Sequence, residues 1–421
     1  MRFHRLRDWI FRHVEITPRL RQVCLWYLLS LMVETRKHSL DFAAVLSGLH
    51  KSQFCRWLQD HHQLAAATLD TLSKRQAKQY ARVLDNLEGL PWKVALLVDT
   101  TTQHRSSLKA DNVQRFNHGQ GFVIGHQWTN ILLVFNGILI PLPPIPFYTK
   151  GYCRDHDLDY QTEHQRVVTY LAALELDAYL GPHRTQDIVV IADSGYDDRA
   201  IEKAIVQRGW HFLIALKSTR TVKSPQQEAR TTRSTGWKQV APFFRDQRRL
   251  GWETVRFTPK GPHRRKRMEF RLRHTLGVLR YVGPVQLVCS EWKKKRPDGH
   301  RKYLACSDRK VTPRQILLGY RLRWTVELFH KTVKMHLGFE HIAAHHFASV
   351  VAHVHWVYCA FLLLQAFPAQ RADQHETIPQ KQQRIRTFLD HRETAQVLQQ
   401  LTQFGGVERH KSLLKQVLAA S

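Results

Sequence analysis

Two short apolar runs, each followed at once by an aspartate, constrain the fold of this chain more than any other feature. Residues 94–98 read Val-Ala-Leu-Leu-Val before Asp99, and residues 188–192 read Ile-Val-Val-Ile-Ala before Asp193. Continuous apolar runs of this length are typical of central strands that are buried on both faces. The runs therefore predict an α/β fold whose central strands deliver two carboxylates to the edge of a sheet. Either aspartate alone is also compatible with a simple turn or helix cap.

A third carboxylate lies in residues 315–338, which have the periodicity of an amphipathic helix. At about 100° per residue, five polar side chains fall within an arc of roughly 80° on one face. They are Tyr320, Arg323, Glu327, Lys331 and Lys334. A Glu-Lys pair at this spacing is usually a solvated surface pair worth only about 0.3 kcal/mol. Together with the two strand aspartates, the pattern instead indicates a carboxylate among cations that can hold a metal ion beside a phosphate.

The segments between these carboxylates predict alternating strands and helices. Residues 126–135 and 138–142 are strand candidates joined by Asn136-Gly137, a strong hairpin signal. Helices are expected at residues 160–180 and 197–208, and a further strand at residues 211–216. This order predicts an α/β core.

Residues 211–310 carry most of the excess positive charge. This segment has 26 Lys and Arg against 7 Asp and Glu, a net +19 of the +29 of the whole chain. Short strand-like runs at 252–257, 268–274, 279–289 and 301–306 alternate with basic clusters at 264–267 and 293–296. Basic clusters with interleaved aromatic residues favour a surface that grips phosphodiester backbone. The alternative is a basic, solvated loop without a specific ligand.

Composition agrees with a nucleic-acid partner. The chain has 421 residues, is 43% apolar and has a net charge of +29, so a polyanion is expected before a membrane. Its six cysteines lack C-x-x-C spacing, which favours a reducing cytosol over a disulfide framework or zinc module. No signal peptide is evident. The apolar residues 350–367 are interrupted by His353, His355 and Gln365, so a buried helix is expected rather than a membrane span.

Both ends of the chain are predicted to be helical. Residues 40–49 and 51–58 flank Gly48 like a helix-turn-helix, with Ser52, Gln53 and Arg56 available to face DNA, although any two packed helices would give a similar pattern. A histidine-rich stretch near the end is read as helical and structural, because helix spacing would spread the rings and no nearby carboxylate accompanies them. It comprises His341, His345, His346, His353 and His355.

The three carboxylate segments resemble those of a known family. Val-Asp-Thr-Thr around Asp99, Ala-Asp-Ser-Gly-Tyr around Asp193 and the Y-x2-R-x3-E-x6-K pattern around Glu327 are similar, in order, to the signatures of DDE cut-and-paste transposases of the insertion sequence 4 type. Trp324 and residues 329–331 extend the similarity. It covers residues 93–338. The first two blocks are short, whereas the third is long and specific.

The resemblance implies a ribonuclease H-like catalytic core interrupted by a β-rich insertion, with an N-terminal helical domain and a C-terminal helical region. The expected boundaries are 1–90 for a helical DNA-binding domain, 91–217 and 311–367 for the core, 218–310 for the basic insertion and 368–421 for a helical tail. The core assignment is an analogy at the level of the fold, supported by three acids on the elements that this fold requires.

Asp99, Asp193 and Glu327 are the expected catalytic residues and metal ligands. Three carboxylates suit Mg²⁺ or Mn²⁺, and two ions are expected, with Asp99 bridging both. The resemblance implies that Tyr320, Arg323 and Lys334 bind phosphate, that Trp324 helps to hold a hairpin, and that Tyr303 is a candidate to stack on a flipped base. The full set of expected DNA or phosphate contacts is Tyr320, Arg323, Trp324, Lys331, Lys334, Tyr303, Lys293, Lys294, Lys295 and Arg296.

The function implied is cleavage of transposon ends and their joining to target DNA, through a hairpin intermediate. The expected partners are terminal inverted repeats, target DNA and a second copy of the chain, without a membrane, in the cytoplasm and nucleoid of a bacterium. Two alternatives remain. One is a ribonuclease H-like DNA nuclease without strand transfer, which the basic segment and the Tyr-Arg-Lys pattern disfavour. The other is a non-catalytic DNA-binding inhibitor derived from a transposase, which the three intact acids disfavour.

Overall fold

A computed structural model describes residues 3–33, 40–117, 121–182, 187–225, 236–247, 250–257, 268–292, 301–370 and 376–403, with side chains described to residue 390. The chain divides into two compact units. One, the helical unit, contains residues 1–68, 332–343 and 348–421. The other, the sheet unit, contains residues 69–331 and 344–347.

The described helices, in chain order, are α1 (Phe3–His13), α2 (Arg21–Val33), α3 (Leu40–Ser47), α4 (Lys51–Asp60), α5 (His62–Tyr80), α6 (Lys150–Asp155), α7 (Glu163–Ala173), α8 (Asp177–Leu180), α9 (Arg199–Gln207), α10 (Val240–Asp246), α11 (Pro313–Leu322), α12 (Trp324–His336), α13 (Phe347–Ala366) and α14 (Ile378–Gln403). The strands are β1 (Val94–His104), β2 (Gln114–Asn117), β3 (Phe122–Phe135), β4 (Ile138–Pro141), β5 (Ile145–Pro146), β6 (Ile188–Ala192), β7 (His211–Leu216), β8 (Thr221–Lys223), β9 (Lys238–Gln239), β10 (Glu253–Phe257), β11 (Met268–Leu279), β12 (Gly283–Trp292) and β13 (Lys302–Cys306).

The described strands form one mixed sheet in the order β2-β3-β1-β6-β7-β13-β12-β11-β8-β9, with β4 and β5 on β3 and β10 on β11. Its centre is parallel, because β1 pairs with β6 and β6 with β7 in the same direction. The crossovers between these strands carry α7, α8 and α9, and α7 packs on α9. Residues 94–98 and 188–192 are buried, as expected for strands with neighbours on both sides. The sequence prediction of a mixed α/β fold is confirmed, and this sheet is consistent with a ribonuclease H-like DDE domain.

Local predictions in the core met with mixed success. The strand at 211–216 and the 136–137 hairpin turn are confirmed, and both turn residues have positive φ, 48° at Asn136 and 71° at Gly137. The prediction that a strand ends at Asp99 is wrong, since β1 continues to His104 and remains paired with β3 throughout. The helix predicted at 160–180 is two helices, α7 and α8. Thr162 caps α7 with its hydroxyl on the Gln165 amide, while the Gln165 side chain accepts from the Thr162 amide.

The helix predicted as one unit at 315–338 is interrupted at Arg323, which separates α11 from α12. Helix α11 starts from a second capping box, formed by Thr312 and Gln315, and packs on β6 and β7. Gly319 allows that close approach, because a Cβ atom there would lie 2.9 Å from the Leu213 side chain and 3.1 Å from Trp92. The packing holds the end of α11 and Arg323 against the centre of the sheet.

Strands from the basic segment continue the same sheet. β13 pairs antiparallel with β7, and β12 and β11 follow outward. The predicted runs at 252–257, 268–274 and 301–306 correspond to β10, β11 and β13. The run predicted at 279–289 is displaced, because the chain turns at residues 280–282, with Tyr281 at φ 67°, before β12 starts at Gly283. The clusters at 264–267 and 293–296 lie outside the described residues.

The helical unit packs around α13, which is buried along most of its length. Inside this unit the Tyr27 hydroxyl contacts His353 Nδ1 at 2.7 Å, and the Trp57 and Trp356 rings stack at 5.0 Å. His353 Nε2 and His355 Nδ1 each contact a backbone carbonyl, so the structural role predicted for these two histidines is confirmed. Among the described helices, α13 is long and apolar enough to span a membrane, but 89% of its apolar window is buried inside the protein.

Candidate active site

Sheet register makes Asp99 and Asp193 neighbours. Val98 on β1 pairs with Ala192 on β6, and each aspartate is the next residue along the chain. Adjacent strands lie about 4.8 Å apart, so the two carboxylates come from adjoining positions. Asp99 also pairs in register with Asn130 of β3 and accepts a hydrogen bond from the Thr100 amide at 3.0 Å. Asp193 caps a short 3-10 turn by accepting from the Gly195 amide at 2.7 Å.

Arg323 links the first and third carboxylates. Its Nη1 donates to Asp99 Oδ2 at 3.0 Å, and its Nη2 donates to Glu327 Oε1 at 3.2 Å. The side chains of Arg323 and Asp99 are only 15% and 13% exposed, whereas Glu327 is 41% exposed. A guanidinium between two carboxylates neutralises charge that would otherwise repel. The interruption between α11 and α12 places Arg323 in this bridging position.

Asp99 has a perturbed ionisation in this cluster. Burial, opposed by Arg323 and reinforced by the charges of Asp193 and Glu327, raises the pKa of Asp99 to about 6. A carboxyl in this condition takes up a proton readily when no metal ion is present. A perturbed pKa caused by burial and nearby like charge is common in functional sites.

The donor set fits a divalent ion. Ligating atoms of Asp99, Glu327 and His330 lie within 4.8 Å of one another. The amide of Asn130 contacts His330 Nε2 at 2.8 Å, which fixes the buried imidazole. Asp193 is outside this group but close enough to influence the pKa of Asp99 electrostatically. Carboxylate oxygens are ligands for Mg²⁺ and Mn²⁺, and Arg323 supplies a positive charge between two of them.

Tyr320 and Lys302 add a hydroxyl and a cation beside this cluster. Tyr320 is 8% exposed, and the Lys302 ammonium lies 5.3 Å from the centroid of its ring. Burial raises the pKa of the Tyr320 hydroxyl; Arg323 opposes the shift and Asp193 reinforces it. Burial and Arg323 lower the pKa of Lys302, while Asp193 acts in the opposite direction. Lys302 was not predicted from the sequence, because nothing distinguishes it from the other cations of the basic segment.

A second residue missed from the sequence, Glu163, supports the aspartate-bearing segments. Its carboxylate accepts hydrogen bonds from Tyr196 Oη at 2.7 Å, from Thr129 Oγ1 at 3.1 Å and from the hydroxyl of Thr100. Thr100 follows Asp99 directly, Thr129 lies on β3, and Tyr196 comes three residues after Asp193. Gln127 donates to the other carboxylate oxygen at 2.8 Å. Glu163 thus fixes both segments; in the sequence it is only an acid in the first turn of a helix.

The other residues predicted to contact DNA differ in how accessible they are to a ligand. Trp324 is 63% exposed and Lys331 is exposed, so both are accessible to a ligand. Tyr303 on β13 is 8% exposed and stacks on Phe244 at 5.9 Å, so one ring face is covered. Lys334 belongs to the helical unit, where its ammonium lies 3.1 Å from the Glu340 carboxylate. Lys293, Lys294, Lys295 and Arg296 lie outside the described residues.

The sheet carries aspartates at two neighbouring strands, and Arg323 joins one of them, Asp99, to a glutamate on a helix. Two such aspartates near a helical glutamate are the arrangement expected of the DDE class of transposases. Residues 161–363 match the protein family described as Transposase DDE domain. The matched range contains Asp193 and Glu327, and Asp99 precedes it. The chain therefore carries a transposase DDE domain, with which its resemblance to the insertion sequence 4 family is consistent. Domains of this kind use divalent metal ions and act on DNA. No curated protein matches the chain.

Proposed function

We propose that the chain cleaves the ends of a transposable element and joins them to target DNA, with Asp99, Asp193 and Glu327 as its catalytic carboxylates. The observation that carries this proposal is the Arg323 bridge between Asp99 and Glu327, beside an aspartate from the neighbouring strand. Sequence separation alone would not bring these groups together. Their convergence in a chain with a transposase DDE domain supports a shared site.

We further propose that the three carboxylates hold two Mg²⁺ or Mn²⁺ ions, with Asp99 shared between them. Such ions, when bound, stabilise the charge that develops on phosphate and make water nucleophilic at neutral pH. Asp99 must be ionised to act as a ligand, so below about pH 6 its proton leaves on binding. Arg323 must leave at least one carboxylate, which frees its guanidinium for a DNA phosphate; guanidinium groups suit this role because they donate two parallel hydrogen bonds.

Residues around the carboxylates are proposed to hold the DNA. Lys302 and Lys331 supply positive charge for phosphates, and the Tyr320 hydroxyl supplies a hydrogen-bond donor. The exposed ring of Trp324 is suited to stack on a base or support a hairpin end. We propose a hairpin intermediate and a homodimeric synaptic complex on the strength of the family resemblance. Lys334 is proposed as a phosphate contact on its match to the signature pattern alone.

The test takes as substrate the terminal inverted repeats that the proposal expects in the DNA on either side of the gene. Full-length protein with Mg²⁺ is expected to nick and hairpin a duplex carrying the repeat, and to join a pre-cut repeat to plasmid DNA. Asp99→Asn and Glu327→Gln should reduce both reactions by about 10³-fold or more, as removal of one member of a catalytic set does. Gel-shift affinity should stay nearly unchanged, since the carboxylates do not attract phosphate.

Two outcomes would contradict the proposal. Metal-dependent cleavage by the wild-type protein without joining of pre-cut ends would assign a nuclease instead. Tight binding of the repeat with neither reaction, in Mg²⁺ and in Mn²⁺, would assign a non-catalytic DNA-binding protein. Arg314→Ala provides a control, because Arg314 is a cation of α11 for which no contact with the carboxylates is described.

A further inference from the structure

A second group of metal-ligating side chains lies in the sheet unit, and it shares no residue with the candidate active site. It consists of Asp111, from the loop after β1, and His345 and His346, from the segment before α13. His345 Nδ1 lies 3.2 Å from Asp111 Oδ1, and His346 Nδ1 lies 3.4 Å from Asp111 Oδ2. One ligating atom from each of the three residues lies within 4.8 Å of the others.

The prediction that these histidines are helical is wrong. Residues 341–346 precede α13 and are not helical, so the adjacent rings of His345 and His346 can turn toward the same carboxylate. Their ring planes are inclined at 73° with centroids 5.6 Å apart. The carboxylate ligand missing from the nearby sequence is supplied by Asp111.

Backbone contacts hold Asp111 in place. The Asp111 amide donates to the His345 carbonyl at 3.0 Å, and His126 Nε2 donates to the Asp111 carbonyl at 2.9 Å. Burial lowers the pKa of His126 to about 4, so this imidazole is neutral at physiological pH. The next residue, Asn112, adopts φ 58° and bonds through its side chain to the backbone of Phe147 and Thr149.

The histidine-bearing segment is equally restrained. Arg105 donates a hydrogen bond to the Ala344 carbonyl. The Phe347 ring stacks on Trp128 with centroids 5.9 Å apart and contacts the His126 ring in a tilted arrangement at 5.0 Å. Residues 344–347 belong to the sheet unit, although the segments on either side of them belong to the helical unit. Ligands on two restrained segments lose little conformational freedom when an ion binds, which favours affinity.

We propose that Asp111, His345 and His346 bind a zinc-like divalent transition-metal ion, which fastens residues 344–347 to the loop after β1. At metal–ligand distances of about 2.0–2.1 Å, two ligand atoms of a tetrahedral ion lie about 3.3–3.4 Å apart. The His345 and His346 Nδ1 atoms lie at similar distances, 3.2 and 3.4 Å, from the Oδ1 and Oδ2 atoms of Asp111. Two imidazoles and one carboxylate select Zn²⁺, Co²⁺ or Ni²⁺ over Mg²⁺. Three protein ligands leave one position for water.

The competing explanation is a pair of ordinary surface ion pairs. The side chains of His345 and His346 are 62% and 60% exposed, and that of Asp111 is 29% exposed. Exposed pairs of this kind contribute at most about 1 kcal/mol and select no metal. The positive charge of nearby Arg105 opposes the binding of a metal ion, and the negative charge of the Asp111 carboxylate offsets this repulsion. The two explanations differ in one measurable property, which is specific binding of a transition metal.

The experiment titrates Zn²⁺ into metal-stripped, untagged full-length protein in the presence of excess Mg²⁺, with a chromophoric chelator as competitor. Wild-type protein is expected to bind one Zn²⁺ ion at this site. The variants Asp111→Asn and His346→Ala should each lower the affinity for that ion by at least tenfold. His104→Ala is the matched control, because His104 is an exposed histidine at the end of β1. This variant should bind Zn²⁺ with the same affinity as the wild type. Asp99→Asn should also retain this ion, which separates the site from the candidate active site.

Two further measurements guard against misfolded variants. Far-UV circular dichroism and the Tm of each metal-free variant should match the wild type, and Zn²⁺ should raise the Tm of the wild type but not of the Asp111 or His346 variants. The visible absorption of bound Co²⁺ should be present in wild type and His104→Ala and absent from the double variant of His345 and His346. Equal Zn²⁺ affinity in wild type and that double variant, or no specific Zn²⁺ binding by wild type, overturns the proposal.

Discussion

At the scale of single residues, the properties of Asp99 follow from burial and from three charged neighbours, Arg323, Asp193 and Glu327. It lies in mid-strand, within reach of Arg323 and next to Asp193, with its side chain only 13% exposed. Burial and like charge raise its pKa to about 6, and Arg323 acts against both. The same carboxyl is therefore protonated in mild acid and available as a ligand at neutral pH.

This pKa predicts how metal binding depends on pH. Below about pH 6, Asp99 must release a proton when a metal ion binds, so the apparent Kd for Mn²⁺ should rise by up to about tenfold per pH unit as pH falls. Calorimetric titrations at pH 5, 6 and 7 would measure this dependence and the proton released. Glu202→Gln, which alters a different buried acid, should give the wild-type profile. A Kd that does not change between pH 5 and 7 would contradict the role given to Asp99.

Arg323 provides the second prediction at this scale. Because its guanidinium bridges Asp99 and Glu327 in the metal-free site, Arg323→Ala removes a competitor for both carboxylates. Mn²⁺ affinity should rise several-fold, while cleavage of repeat DNA should fall by about 10²-fold or more, because a phosphate donor is removed. Opposite changes in the two quantities distinguish this role from a structural one. Arg314→Ala should alter neither, and weaker Mn²⁺ binding by Arg323→Ala would rule out the competition.

At the scale of elements, the start of α9 contains a buried acid pair that stabilises the fold. Arg220 contacts Asp197 at 3.1 Å and also the Glu202 carboxylate, and the side chains of Asp197 and Glu202 are 1% and 0% exposed. Burial raises the pKa of Glu202 to about 8, and burial also raises that of Asp197. Two adjacent buried carboxyls beside one arginine hold a proton between them at neutral pH.

The sign of the resulting pH dependence follows from the raised pKa. A folded pKa above the unfolded value contributes stability that is complete below about pH 4.5 and is lost as pH rises through about 8. The free energy of unfolding should therefore decline from pH 6 to pH 9, and Glu202→Gln should flatten that decline. Arg220→Ala should destabilise the protein by about 3–5 kcal/mol, because the acids lose their partner. Urea unfolding at several pH values tests both; an equally steep decline in Glu202→Gln would refute the assignment.

Elements were predictable from sequence where local signals agreed with tertiary packing. The 136–137 turn and β7 needed only a turn signal and an apolar run, and both were predicted correctly. The interruption at Arg323 was not predictable, because residues 315–338 keep helical periodicity on both sides of it and the bridge to Asp99 arises only in the folded chain. Similarly, the apolar run that ends at Val98 gave no sign that β1 continues along β3 through polar residues 99–104.

At the scale of the whole molecule, sequence patterns led to three candidate carboxylates but not to the groups around them. Glu163, Lys302 and Asp111 each reach their partners across long stretches of chain, and none has a local pattern that marks it. Tertiary packing of helices and loops against the sheet creates these contacts, so local sequence spacing does not predict them. The overall charge, in contrast, is additive, and the sequence was sufficient to predict a DNA partner, as the transposase domain implies.

The last prediction assigns different roles to two parts of the chain in DNA binding. Residues 40–60 form two helices, α3 and α4, joined at Gly48, and on α4 both Gln53 and Arg56 are exposed. They are suited to read bases, so Gln53→Ala or Arg56→Ala should cost about 1–3 kcal/mol per base contact and relax sequence choice. The cluster of Lys293, Lys294, Lys295 and Arg296 should instead contact phosphates. Its replacement by alanines should weaken binding to all sequences alike.

Salt dependence separates these roles quantitatively. For each phosphate that a variant no longer neutralises, the slope of log affinity against log salt concentration should fall by about 0.9, so the alanine cluster variant should show a shallower slope and the Gln53 variant the wild-type slope. Replacing the three lysines by arginines keeps the charge and is the matched control, with an unchanged slope expected. Affinities for repeat-containing and scrambled DNA, measured from about 50 to 300 mM salt, provide both readouts. A wild-type slope in the alanine variant would mean that these four charges face solvent and that the phosphates are held elsewhere.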